Sequence, residues 1–272
     1  MKKQKSSGRR RHQPPTTRTV LQLILASVLL SCAAPGQVAQ SSPEKIADAI
    51  ESVKQGNFSL ATIEQIAEAN AVQSVPALKE RFALSQDADT KTKIADALVR
   101  LGENDDIYWN YLIEQATAAV KNDIPSPTVF DARGAVVRGE VSPEFIAWTK
   151  AHNVSAESAA ETVYGLPRRV AFLAETGDPR GIPLLRQGLQ SPNYLIAAMS
   201  AKGLAVIMDK SSIPLIIEAC KRAPSESAIA IADSLIYFDD AQAQEAADRY
   251  LPKEYAQAMR AARAQGKKPF HF

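Results

Sequence analysis

One short helical pattern occurs three times in this chain, as Lys45-Ile46-Ala47-Asp48-Ala49-Ile50, Lys93-Ile94-Ala95-Asp96-Ala97-Leu98 and Ala230-Ile231-Ala232-Asp233-Ser234-Leu235. A second pattern runs beside it. Ile182-Pro183-Leu184-Leu185 returns 31 residues later as Ile213-Pro214-Leu215-Ile216. A unit of this length is one supersecondary element that cannot bury its apolar face alone, so successive units must stack. The expectation is an all-α chain: an α-solenoid of antiparallel helix pairs with one irregular insertion.

The helical faces support this reading. Tyr194, Ala198, Ala201, Ala205 and Met208 fall on one face, as do Ala228, Ile231, Ala232, Leu235 and Ile236. Alanine on such faces favours helix and lets neighbouring helices approach. Breaks at Gly177-Asp178-Pro179, Ser191-Pro192, Ser211-Ser212 and Pro224-Ser225 separate the runs. Ser191 and Ser212 are expected N-caps, with Pro192 in the first turn behind one of them. The pattern predicts helices over 43–54, 60–69, 75–85, 89–101 and 106–120. A second set is predicted over 143–151, 155–163, 167–175, 179–189, 193–208, 212–222, 225–237, 240–249 and 252–264.

Asp178-Pro179-Arg180-Gly181-Ile182-Pro183-Leu184-Leu185 resembles the opening of the HEAT-like repeats found in phycobilisome bilin lyases and many bacterial proteins. Ala95-Asp96-Ala97-Leu98 resembles the end of such a unit, whereas Ala201-Lys202-Gly203-Leu204 departs from it by a glycine. The resemblance spans about 60–120 and 165–262. It implies a fold and is nearly silent on function, because such arrays serve many roles.

The pattern fails between Lys121 and Ser142. Pro125, Pro127, Gly134 and Gly139 break helix, while Thr128-Val129-Phe130 and Ala135-Val136-Val137 have strand character around a turn at Asp131-Ala132-Arg133-Gly134. A short β-hairpin fits this insertion. Loops that interrupt a regular array often carry function; the alternative is a passive insertion or a boundary between two sub-arrays. Phe130, Arg133, Arg138 and the following Trp148 are the expected partner-binding residues: rings supply apolar area, and guanidinium groups pair with carboxylates.

Residues 1–32 hold seven of the 32 basic residues and none of the 30 acidic ones, which leaves 33–272 at a net −5. A body with that balance lacks the positive field that attracts nucleic acid. The basic head leads into an apolar run from Val20 to Leu30. This run is shorter than the about 20 residues a spanning helix needs. Basic head, short apolar run and small residues together are a secretory signal. Leu29-Leu30-Ser31-Cys32 resembles the lipobox of bacterial lipoproteins, which implies acylation of Cys32, although Leu30 is larger than usual at its position. Cleavage near Ala33 or Ala34 also fits the small residues there. The expected location is therefore the cell envelope, as a periplasm-facing lipoprotein or a protein secreted to the periplasm. The expected organisation is a signal peptide at 1–32, a flexible tether at 33–42, repeats at 43–121, the insertion at 122–141, repeats at 142–264 and a tail at 265–272, frayed or forming a small cap.

Catalytic constellations are sparse. His152 is the body's only histidine apart from His271 in the tail, so a histidine-rich metal site is excluded. No glycine-rich phosphate loop occurs. Cys220 sits among Ile216, Ile217 and Ala219, as a buried hydrophobe would. Asp105-Asp106 and Asp239-Asp240 fall at inter-helix turns and are expected to cap helices. Trp109, Tyr108 and Tyr111 are expected in the core. Arg168-Arg169 opens a helix, which its dipole disfavours, so these residues are expected to meet an acid of a neighbouring helix or a partner. No catalytic residue, metal ligand or cofactor is assigned. The expected function is a non-enzymatic scaffold that binds a protein or peptide and is held to a membrane by a lipid anchor. The alternative, implied by the resemblance, is an accessory factor or lyase-like chaperone acting on a cofactor-bearing protein.

Overall fold

A computed structural model describes residues 42–129, 137 and 140–270. The expected signal peptide with Cys32, the tether before Ser42, and Phe130, Arg133 and Arg138 lie outside the described residues. All regular structure among the described residues is helical. The first five helices are α1 (Pro43–Gln55), α2 (Leu60–Glu68), α3 (Val75–Leu84), α4 (Ala88–Arg100) and α5 (Asp106–Val120). After the insertion come α6 (Pro143–His152), α7 (Ala156–Val163), α8 (Leu166–Glu175), α9 (Ile182–Gly188) and α10 (Tyr194–Val206). The chain ends with α11 (Ile213–Arg222), α12 (Ser225–Ala232), α13 (Ala241–Tyr250) and α14 (Lys253–Ala264). None of these is long and apolar enough to cross a membrane.

Side-chain caps start many of these helices. Asp87 accepts from the Thr90 N–H at 2.7 Å, Ser142 from Phe145 at 3.2 Å and Ser155 from Ser158 at 3.1 Å. Asp105 and Asp240 cap α5 and α13, as the acid pairs at these turns led one to expect. Each such bond is worth about 1 kcal/mol. Two expected caps are not caps. Asn193, not Ser191, accepts from Leu195, so Pro192 precedes the cap rather than opening the helix. Ser212 is buried and bonded to the Arg186 guanidinium at 2.8 Å, because a 3₁₀ turn at Lys210–Ser212 turns its hydroxyl inward.

The helix ends repeat in one register. Asn70, Gly102, Gly177 and Met208 all have positive φ, and 208 follows 177 by the same 31 residues. At Asn70, Gly102 and Met208 the same pair of bonds closes the helix: this residue's N–H reaches back to the carbonyl three before it, and the next N–H to the carbonyl five before it. This is the Schellman geometry, which satisfies otherwise orphaned carbonyls. Bridges between units follow the same register. Lys79 and Arg186, each three residues after a proline at the second helical position, reach the acid that follows the next such turn. The pairs are Lys79–Glu103 at 2.5 Å and Arg186–Asp209 at 2.8 Å.

Helix packing is regular at both ends of the chain and skips in the middle. α1 packs on α2 and α3, α2 on α4, and α3 on α4. Near the other end, α10 packs on α9 and α12, and α11 on α12 and α13. In between, α5 packs against α8, and α4 also reaches α8. The principal contacts of α6 and α7 are with each other, and α7 also touches α8. In packing terms the excursion therefore runs from the insertion through α7, and α8 resumes the row. Its stem is tied where the chain re-enters: the Ser142 hydroxyl donates to the Ser126 carbonyl at 2.6 Å, and the Val137 N–H to Val129 at 2.9 Å.

Gly203 shows why one unit departs from the expected ending. A Cβ there would lie 2.5 Å from Cβ of Ala174, so α8 and α10 approach closely enough to exclude even alanine. Trp109, Tyr108 and Phe145 are buried in the core. Arg168 and Arg169 meet Asp89 of α4, at 3.3 and 3.6 Å.

Candidate binding groove

The equivalent turns place a second row of residues in register. Two positions before each left-handed residue stand Glu68, Arg100, Glu175 and Val206. All four line one groove of about 430 Å³. Leu60, Ala61 and Glu64 of α2, Lys93 of α4, and Arg168 and Phe172 of α8 complete its helical walls. The remaining walls are Lys268 and Phe270 of the C-terminal tail.

The groove floor is a buried charge cluster. Lys93 is 3 % exposed and Asp96 fully buried. The Lys93 ammonium donates to Asp96 at 2.8 Å and to Glu175 at 2.6 Å, and also contacts Glu64. Its Nζ lies 4.8 Å from the Phe172 ring centroid. Arg100 donates to both Glu64 oxygens, at 3.0 and 2.8 Å. Three helices, α2, α4 and α8, are thereby joined through one cation. Such a cluster is costly to break, because removing one partner strands a buried charge.

The charges shift one another. Burial works to raise the Glu64 pKa, but Lys93 and Arg100 outweigh it and bring it down to about 2. Burial pushes Glu175 up to about 7; Lys93 opposes this, while Asp96 and Glu64 add to it. Burial works to lower the Lys93 and Arg100 pKa values, and the surrounding carboxylates outweigh it, so both cations are held charged. One oxygen of Asp96, Oδ1, has no hydrogen-bond partner.

Glu64, Asp96 and Glu175 bring carboxylate oxygens within 4.8 Å of one another, which is metal-ligand spacing. The ammonium of Lys93 already sits among them and bonds to all three. The donor set thus has its cation in the chain itself. A related pair lies further along: Lys202 of α10 meets Asp233 at 3.2 Å, and the Tyr255 hydroxyl donates to Asp233 at 3.1 Å. The repeated Ile-Ala-Asp pattern therefore has two fates. Asp96 and Asp233 are buried against lysines, and Asp48 is exposed.

Of the residues expected to bind a partner, only Trp148 is among those described. It is half-buried on α6, stacked on the His152 ring at 4.0 Å between centroids. His152 Nδ1 lies 2.9 Å from the Trp148 carbonyl oxygen. Cys220 is buried, and burial pushes its thiol up to about 12. Sequence reasoning missed Glu64, Lys93, Asp96, Arg100 and Glu175. The local pattern carried no signal for them, since Lys45 and Asp48 stand in the same Lys-Ile-Ala-Asp sequence and are exposed.

Compared with family models, the chain matches none, and compared with curated proteins it matches none.

Proposed function

We propose that this protein is an exported, non-enzymatic scaffold: an α-solenoid of HEAT-like antiparallel pairs, anchored in the cell envelope through Cys32, that binds an extended segment of a protein partner along the groove. The observation that carries this reading is the groove itself. Four of its residues stand two positions before equivalent left-handed turns, and Lys268 and Phe270 of the tail form one of its walls. A row of alternating charge with apolar flanks suits an extended ligand, because each unit contributes one contact per repeat. The side-chain chemistry favours binding over catalysis. The buried Cys220 thiol is a poor nucleophile, and exposed His152 is bonded within its own helix.

A photo-crosslinking side chain at Ala61, exposed beside the groove, tests the reading in envelope extracts. The proposal expects it to capture a partner that the same group at exposed Lys221 of α11 does not. Equal capture at both positions, or none at Ala61, contradicts it.

A further inference from the structure

One wall of the groove comes from the chain's own C-terminal tail. Gly266 ends α14 with positive φ, and the Lys267 N–H bonds back to Ala262 at 3.1 Å, which fixes the direction in which the tail leaves. The described part of the tail folds back onto the helices. The buried Tyr237 hydroxyl donates to the Lys268 carbonyl at 3.4 Å. Pro269 is buried, and Phe270 is half-buried against the core. Lys268 and Phe270 then stand in the groove opposite α2, α4 and α8, although they follow α14 in sequence.

The charges match. Around the groove, Glu64, Glu68, Asp96 and Glu175 face Lys93, Arg100 and Arg168 from the helices. Lys268 adds a further cation to this rim of carboxylates. The hold is slight: one long hydrogen bond, one proline and one ring. Such a segment can be displaced by a competitor of similar chemistry.

We propose that residues 267–270 are a resident ligand of the groove that competes with the partner, and that the partner presents the same chemistry: an extended segment with a basic residue, a proline and an aromatic ring. This rests on the reading of the groove as the binding surface. The tail is tethered, so its effective concentration is in the millimolar range, and with an intrinsic affinity of about 10–100 µM for the groove it weakens a free competitor by about 10- to 100-fold.

The test uses a fluorescent peptide of sequence Gly-Lys-Lys-Pro-Phe-His-Phe, the chain truncated after Gln265, and Phe270→Ala in the full chain. Anisotropy is expected to show saturable binding to the truncated chain, with affinity at least about 10-fold weaker for the full chain. Phe270→Ala is expected to lie nearer the truncated form. Equal affinities in all three, or no binding to a truncated chain that keeps its helical circular dichroism, overturn the proposal. If truncation prevents folding, Phe270→Ala against the full chain decides alone, and unchanged affinity overturns it. The two readings fail separately. A partner captured at Ala61 with equal yield by the full and truncated chains removes the resident ligand and leaves the scaffold. Peptide binding without any captured partner does the reverse.

Discussion

Met208 ends α10 with φ of +60°, in the place that glycine takes at 102 and 177. A Cβ in the left-handed region costs about 1–2 kcal/mol, and the 45 % exposed side chain returns little of it through burial. Replacement by glycine recovers that cost but loses some in the freer unfolded chain. Met208→Gly is therefore expected to stabilise the protein by about 0.5–1 kcal/mol, read as a raised midpoint in urea; a lowered midpoint contradicts this. Glu175 gives a second prediction. Its folded pKa of about 7 lies above the ordinary 4.5, so the folded state binds more protons between those values. Its contribution to stability therefore falls as pH rises through that window. Glu64 acts oppositely, since its pKa of about 2 gives stability that is lost as pH falls below 4.5. The melting temperature is expected to drop between pH 5 and pH 8, and to drop less in Glu175→Gln. An identical drop in both proteins would show that Glu175 is not the source. The cluster was not legible in the sequence for a simple reason. Carboxylates near turns are usually caps, as Asp105 and Asp240 are, and Glu64 and Glu175 gain their meaning only when α2, α4 and α8 meet at Lys93.

At the scale of elements, α8 and α10 approach closely. Ala174 and Gly203 make it possible. Alanine at 203 would gain about 1 kcal/mol of helix propensity. It would also place a methyl 2.5 Å from Cβ of Ala174 and 3.2 Å from its Cα, both fixed to a helix backbone. Overpacking of this kind costs about 1–3 kcal/mol or more and wins. Gly203→Ala is expected to lower stability by about 1–2 kcal/mol, measured by urea denaturation. A neutral or stabilising result would mean that the two helices separate easily. Helix positions were largely legible, because periodicity and turn residues mark them. α4, expected over 89–101, spans Ala88–Arg100, and α5 has the expected bounds. The final turns were less so. The run expected as one helix over 225–237 becomes α12 followed by a 3₁₀ segment at Asp233–Tyr237, where buried Asp233 takes up Lys202 and Tyr255.

For the whole molecule, four helix ends share a left-handed residue in a common register. The turns at Asn70 and Gly102, and at Gly177 and Met208, are spaced by one unit, while α6, α7 and the insertion separate the middle two. That excursion separates the two stretches that share a register, and the packing passes from α5 to α8. The groove was hidden in the sequence, since its floor joins residues on both sides of the excursion. On the proposed function, this floor and not the insertion receives an extended ligand. The most direct measurement is the change in backbone amide NMR shifts when the tail peptide is added to the chain truncated after Gln265. Shifts concentrated at 60–68, 93–100, 168–175 and 206 are the predicted result. Shifts concentrated at 122–141 and around Trp148, with the groove residues unmoved, would contradict it.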